Sequence, residues 1–306
     1  MVKDQLGRSA RRCVRVSMTA LIVAMVPSAL GAQAGRASFE EGMRQLQLNE
    51  AGKAEKAFEK AIAAEPKVAL YHLWLGRAVG VQVTNASIVR QPFLARRTKS
   101  EFEKAVQLDP TLLDAREHLI IFYLQAPGVM GGSEAKARDQ AREIAKHNTS
   151  RGHLAHASIA WHAKDTVATE RAFRAAIAAA PDSAMPVVQL AVRFEAWGRT
   201  TDAFALLDGF LARHPGDIVA NFRLGRLASN TGQQLPRGEA AFRRVLAAPE
   251  WEVTGGRPNR AAVHYRLGTL LEKSGRPADA RAAYRAALAL DPKMKAAKDA
   301  LDAVKG

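Results

Sequence analysis

Residues 261–294 read AAVHYRLGTLLEKSGRPADARAAYRAALALDPKM. The run divides at Gly275. Before it, Leu267 and Gly268 sit in the middle of a helix-forming stretch; after it, Ala280, Tyr284 and Ala287 recur at spacings that place all three on one helical face. Pro292 then closes the second stretch, because a proline inside a helix removes a backbone donor and clashes with the preceding turn. The second half of this pattern, an aromatic residue, Ala three positions on and Pro five beyond that, occurs three more times: Phe58, Ala61, Pro66; Phe102, Ala105, Pro110; and Phe173, Ala176, Pro181. A helix pair of this length cannot bury its own apolar stripe, so a chain built from copies of it must stack them into one continuous core.

The order Leu-Gly, Ala, aromatic, Ala, Pro resembles the tetratricopeptide repeat family. The resemblance implies an all-α fold, a right-handed superhelical solenoid of antiparallel helix pairs, whose inner groove recognises other proteins. Pro66, Pro110, Pro181, Pro215 and Pro292 each end a second helix, and Pro181 to Pro215 is one period of 34 residues. That punctuation divides the chain into about seven pairs, 35–68, 69–112, 113–149, 150–183, 184–217, 218–260 and 261–294, with a capping helix over 295–305. The cap is expected to cover the last apolar face.

Two insertions interrupt the period. Residues 81–97 contain Pro92, favoured in a first helical turn, so the second helix of that pair is read as lengthened at its start, with 85–90 as a projecting loop. Residues 126–133, APGVMGGS, break the third pair, and Ser133 is placed to cap a helix over 134–147. No Lys-Ser or Lys-Thr follows Gly132, so this is a turn and not a phosphate-binding loop. Both segments fit either a contact role or a plain length variation.

The N-terminus reads as a secretory signal. Lys3, Arg8, Arg11, Arg12 and Arg15 precede the apolar run Met18 to Val26, and Ala32-Gln33-Ala34 supplies the small-x-small pattern for cleavage after Ala34. The nine-residue run is well short of the roughly 20 residues a spanning helix needs. The expected protein is exported, periplasmic or secreted, and starts at Gly35. The only cysteine, Cys13, lies in that leader. The mature chain would then hold no disulfide, and its fold would rest on packing.

The formal charge is +15 over the whole chain, and about +11 without the leader's five basic residues and Asp4. A basic protein favours acidic proteins or anionic surfaces; peripheral membrane contact is compatible with this, and export argues against nucleic acid. The basic residues are spread over most helices, as solvated faces also require.

Chemistry finds little to work with. His153, His156 and His162 do not share one helical face, and no Cys or nearby acid completes a four-ligand metal set. There is no G-x-S-x-G turn and no cysteine beyond the leader. Adjacent acids such as Glu40 and Glu41 point apart on a helix. No catalytic role, metal or cofactor is expected. Trp74, Trp161 and Trp197 are expected to fill space between helices, whereas Trp251 lies in a loop and reads either as a contact or as packed on the sixth pair.

By the resemblance, the groove is lined by first helices, and the residues that would face it are Phe39, Met43, Leu73, Arg77, Val188, Phe222, Arg226 and Tyr265. Apolar anchors with scattered arginines fit a partner segment bearing acidic groups. The paired Lys and Asn of the carboxylate-holding members of the family are not visible here. The expected function is a non-catalytic interaction scaffold of the cell envelope. The alternative is a carrier or sensor holding a small apolar or anionic ligand, with the 81–97 and 126–133 segments as pocket walls.

Overall fold

The computed structural model describes residues 29–249 and 258–304. Among them the regular elements are α helices and one short 3-10 turn, in the order α1 (Ala29–Gln47), α2 (Ala51–Ala64), α3 (Ala69–Val83), α4 (Gln91–Leu108), α5 (Leu113–Gln125), α6 (Glu134–His147), α7 (Thr149–His162), α8 (Thr166–Ala179), α9 (Ala184–Ala196), α10 (Thr200–Leu211), α11 (Ile218–Thr231), α12 (Leu235–Ala247), α13 (Arg260–Lys273), α14 (Pro277–Leu290) and α15 (Lys295–Ala303). Odd and even helices up to α14 pack as pairs, each pair stacks on the next, and α15 packs on α14. The arrangement is an all-α helical-repeat solenoid. None of these helices is long and apolar enough to cross a membrane.

A single contact organises the pairs. A Cβ added at Gly42, Gly76, Gly225 or Gly268 would lie 2.4, 2.7, 2.6 or 2.5 Å from a ring carbon of Phe58, Phe102, Phe242 or Tyr284. In these four pairs the first helix passes directly under the aromatic ring of its own second helix, and glycine leaves room for that closest approach. Ala157 and Ala191 hold the equivalent places in the α7 and α9 helices and are fully buried. In α10 the aromatic is replaced by Leu207, also fully buried, with Phe204 and Phe210 beside it.

Seven residues beyond the crossing point, the chain must reverse. Gly198, Gly232 and Gly275 do so at positive φ, and Asn49 and Lys164 adopt the same left-handed backbone at the corresponding places, each with φ 60°. Those two residues accept a conformation that glycine takes without steric cost. In the second and third pairs this place falls on Val83 and Pro127, where the two insertions begin. The insertions thus replace the standard turn. One is a loop followed by α4 with Pro92 in its first turn; the other contains a 3-10 turn (Gly128–Met130) and ends at Ser133, whose hydroxyl accepts from the Lys136 amide.

The core forms three connected stretches: α1 to α3 around Phe58, α3 to α7 around Phe102 and Leu119, and α7 to α15 around Phe194, Phe242 and Tyr284. Successive second helices are also tied by surface ion pairs, Arg97 to Glu59, Arg199 to Glu170 and Arg276 to Glu239. Exposed pairs of this kind contribute at most about 1 kcal/mol each. They matter more for showing where charge is already neutralised. Helix α1 begins at Ala29, so the small residues at the expected cleavage site belong to it. The basic start, the apolar run and Trp251 lie outside the described residues.

Candidate functional site on the inner face

Each first helix carries a pair of side chains flanking the crossing point, three residues before it and one after: Phe39 and Met43, Leu73 and Arg77, Glu117 and Ile121, Leu154 and Ser158, Val188 and Val192, Phe222 and Arg226, Tyr265 and Thr269. Residues four apart lie on one helical face, so these pairs mark the face that the first helices present together. Phe39, Met43, Arg77, Val188, Phe222, Arg226 and Tyr265 are half-buried. Leu73 is not a groove residue: it is 1% exposed and packs in the core with Phe102 and Leu119. The adjacent α4 and α5 helices close over it.

The aromatic members are partly committed to the core. The Phe222 and Tyr265 rings lie 5.9 Å from those of Phe242 and Tyr284, and Phe39 stacks on Tyr71 at 5.1 Å and lies 5.6 Å from Phe58. The arginines differ. Arg77 lies over the Trp74 ring at 4.0 Å and Arg226 over Phe222 at 5.9 Å. Burial lowers the basicity of both guanidiniums, for Arg226 with repulsion from Arg266 and Arg223 added. Among the described residues neither has a carboxylate within ion-pair distance, and the Nε of Arg226 is buried without an acceptor. Arg77 also helps to hold His118 neutral: mainly through burial, and then through that neighbouring charge, the imidazole's pKa falls to about 4.

Arg77 on α3 and Phe222, Arg226 and Tyr265 on α11 and α13 share a face, but α5, α7 and α9 stand between them. Those three helices border an open hollow of about 670 Å³ that no sequence-predicted site residue lines. Its walls include Ile121 and Leu124 from α5, Ser158 and Trp161 from α7, and Arg193 and Trp197 from α9 and its end. Ile121 is 46% and Trp161 37% exposed, high values for residues of their size. The Trp161 and Trp197 rings lie 6.1 Å apart, and the Arg193 guanidinium sits 4.1 Å over Trp161.

Sequence reasoning missed this site because α5 is apolar on every side around LIIFY (119–123), so periodicity does not say which residue faces out. The one legible signal was that Trp161 and Trp197 fall close to one repeat apart. The 81–97 and 126–133 segments contribute none of the lining residues, so they are not the walls of this hollow. Among the described residues no group of three or more His, Cys, Asp or Glu is arranged to hold a metal ion.

The stacked pairs define a class, the helical-repeat solenoids, and the comparisons name the repeat. Residues 39–79 and residues 261–294 each match the tetratricopeptide repeat. Yeast Tom70 is similar in structure with 12% identity and a TM-score of 0.58, the match covering 87% of this chain and 55% of that one. The human IFIT1 dimer with m7Gppp-AAAA is similar with 15% identity and a TM-score of 0.53, covering 89% and 62%. A tetratricopeptide repeat protein from Parabacteroides merdae aligns over 88% of this chain and 98% of its own, with 14% identity and a TM-score of 0.46. The chain therefore spans little more than half the length of Tom70 and of IFIT1, and at these identities the likeness is one of fold. No curated protein matches the sequence. The chain is a tetratricopeptide repeat protein, of the repeat type that builds protein–protein interaction scaffolds.

Proposed function

We propose that this protein is an exported, non-catalytic scaffold of the cell envelope that holds an extended or helical segment of a partner protein on its inner face. One observation carries the reading. Arg77, Arg193 and Arg226 are half-buried on first helices, lie against aromatic rings and have no carboxylate partner among the described residues. A guanidinium that has lost water without gaining an anion leaves binding free energy unused, and a hydrogen bond from it to a partner carboxylate contributes about 1.5–3 kcal/mol. Half-buried aromatic and aliphatic neighbours supply the apolar part of the contact.

The leader order and the absence of cysteine beyond residue 13 support export. Sequencing the N-terminus of the exported protein tests this; a first residue of Gly35 is expected, and a retained Met1 overturns it. For the inner face, a partner captured from an envelope extract is titrated against the parent and against Arg77→Glu with Arg226→Glu. The folded double variant should bind at least about tenfold more weakly at moderate salt. Equal binding overturns the proposal. The hollow between α5, α7 and α9 gives a carrier of small ligands its own footing, since its volume is in the range of ligand pockets. Native mass spectrometry of envelope-purified protein separates that reading by detecting a retained small molecule.

A further inference from the structure

We propose that the hollow between α5, α7 and α9 is an anchor pocket for a peptide segment in which a side-chain carboxylate stands beside an aromatic or branched aliphatic residue. The proposal rests on the inner face being a peptide-binding surface and assigns the chemistry of one place on it. Two features define the occupant, and they lie in contact with each other.

The first is apolar. Ile121, Leu124, Trp161 and Trp197 form walls open to the inner face, and Ile121 and Trp161 carry more exposure than a repeat core would leave them. Tryptophan and arginine are among the residues that most often dominate protein–protein contacts. An aromatic or branched aliphatic side chain packs against the apolar wall that Ile121, Leu124 and the tryptophans form.

The second is an unanswered cation. Arg193 lies over Trp161, with its guanidinium carbon 4.1 Å from the ring centroid, and among the described residues it makes no ion pair and has a buried Nε with no acceptor. The carboxylates of the flanking helices are held elsewhere, Glu195 by Arg223 and Asn230, and Glu170 by Arg174 and Arg199. Burial alone lowers the basicity of Arg193, with no acidic neighbour opposing it. A guanidinium oriented in advance by a ring presents its planar fork to a carboxylate at little entropic cost. Lys164 also lines the hollow but is exposed, so Arg193 is its half-buried cation, and on a face that runs past the hollow in both directions it suits an acidic side chain in a continuing chain.

The test uses the full chain labelled with 5-fluorotryptophan, whose four tryptophan lines are assigned by single Trp→Phe variants. The probe is the blocked peptide acetyl-Gly-Asp-Phe-Gly-amide, compared with its Asn-Phe and Asp-Ala analogues and with acetyl-Gly-Gly-Phe bearing a free carboxylate. Saturable shifts of the Trp161 and Trp197 lines are expected, with the Trp74 line unmoved and both analogues weaker by about tenfold. Arg193→Gln should abolish the preference for Asp over Asn, and Arg193→Lys, which keeps the charge but not the fork, should retain part of it. Circular dichroism and the unmoved Trp74 line verify that each variant is folded. The proposal is overturned by any of four results: no shift up to about 10 mM probe, equal binding of the Asp and Asn peptides, undiminished preference in the folded Arg193→Gln chain, or tighter binding of the free-terminus peptide. Because no natural partner is needed, failure here leaves the Arg77 and Arg226 titration to decide the wider reading separately.

Discussion

Replacing Gly225 with Ala tests the glycine–ring contact that sets four of the pairs. An ideal Cβ at residue 225 would stand 2.6 Å from the Phe242 ring, and that ring is fully buried. Carbon atoms rest comfortably at about 3.5–4.0 Å, so the ring or the helix must retreat by roughly 1 Å. Overfilling of this kind costs about 1–3 kcal/mol. The same exchange at a helical glycine with open surroundings removes only backbone freedom from the unfolded chain and stabilises by about 0.4–1 kcal/mol. Gly209 in α10 is such a position, with nothing within 4 Å of its added Cβ. Gly225→Ala should therefore be destabilising relative to Gly209→Ala by about 1–3 kcal/mol, although propensity favours both equally. Urea unfolding followed by circular dichroism reads the difference as a shift in midpoint. A second arm adds Phe242→Leu: the smaller side chain should relieve the alanine, so the two changes together cost less than their sum. If Gly225→Ala is as stabilising as Gly209→Ala, or if the two changes at 225 and 242 simply add, the glycine-under-ring account of the repeat is wrong.

The other expectations are briefer. His118, with its pKa lowered to about 4, favours the folded state fully above its ordinary value of 6.5, and this contribution is lost as pH falls from there towards 4. The loss amounts to at most about 3 kcal/mol, and His118→Phe, which preserves the stack on Phe102, should flatten that limb in urea midpoints measured at pH 7 and pH 4.5. Lys164→Gly should stabilise by up to about 1 kcal/mol because the left-handed backbone there suits glycine; an unchanged midpoint would show that the turn relaxes in solution. Deleting 295–306 removes Ala297, which is fully buried, and Val304, which is 7% exposed, from the end of the core. The truncated protein should melt lower or lose solubility, as measured by thermal denaturation and light scattering.

The repeat was legible in the chain because its determinants are local. Gly268, Tyr284, Ala287 and Pro292 each act within one helix pair, by allowing a crossing, filling it or ending it, and such roles fix residue type at fixed spacing. The pairing of helices, the special turns at Gly198, Gly232 and Gly275, the cap at Ser133 and the place of the insertions follow from that spacing. Leu73 shows where this reasoning fails: it occupies the same register as Phe39, Val188, Phe222 and Tyr265, yet the neighbouring α4 and α5 helices bury it.

The recognition features were decided by the stacking of different pairs. Trp161, Arg193 and Ile121 come from three first helices, and nothing in the sequence around any one of them records that the other two lie beside it. The absence of a carboxylate partner for Arg193 is likewise a property of several pairs at once, because whether a neighbouring acid is free depends on Arg223, Asn230, Arg174 and Arg199. Spacing within a repeat determined the solenoid; which side chains the solenoid leaves exposed, and which charges it leaves unanswered, depends on contacts between repeats that only the tertiary structure brings together.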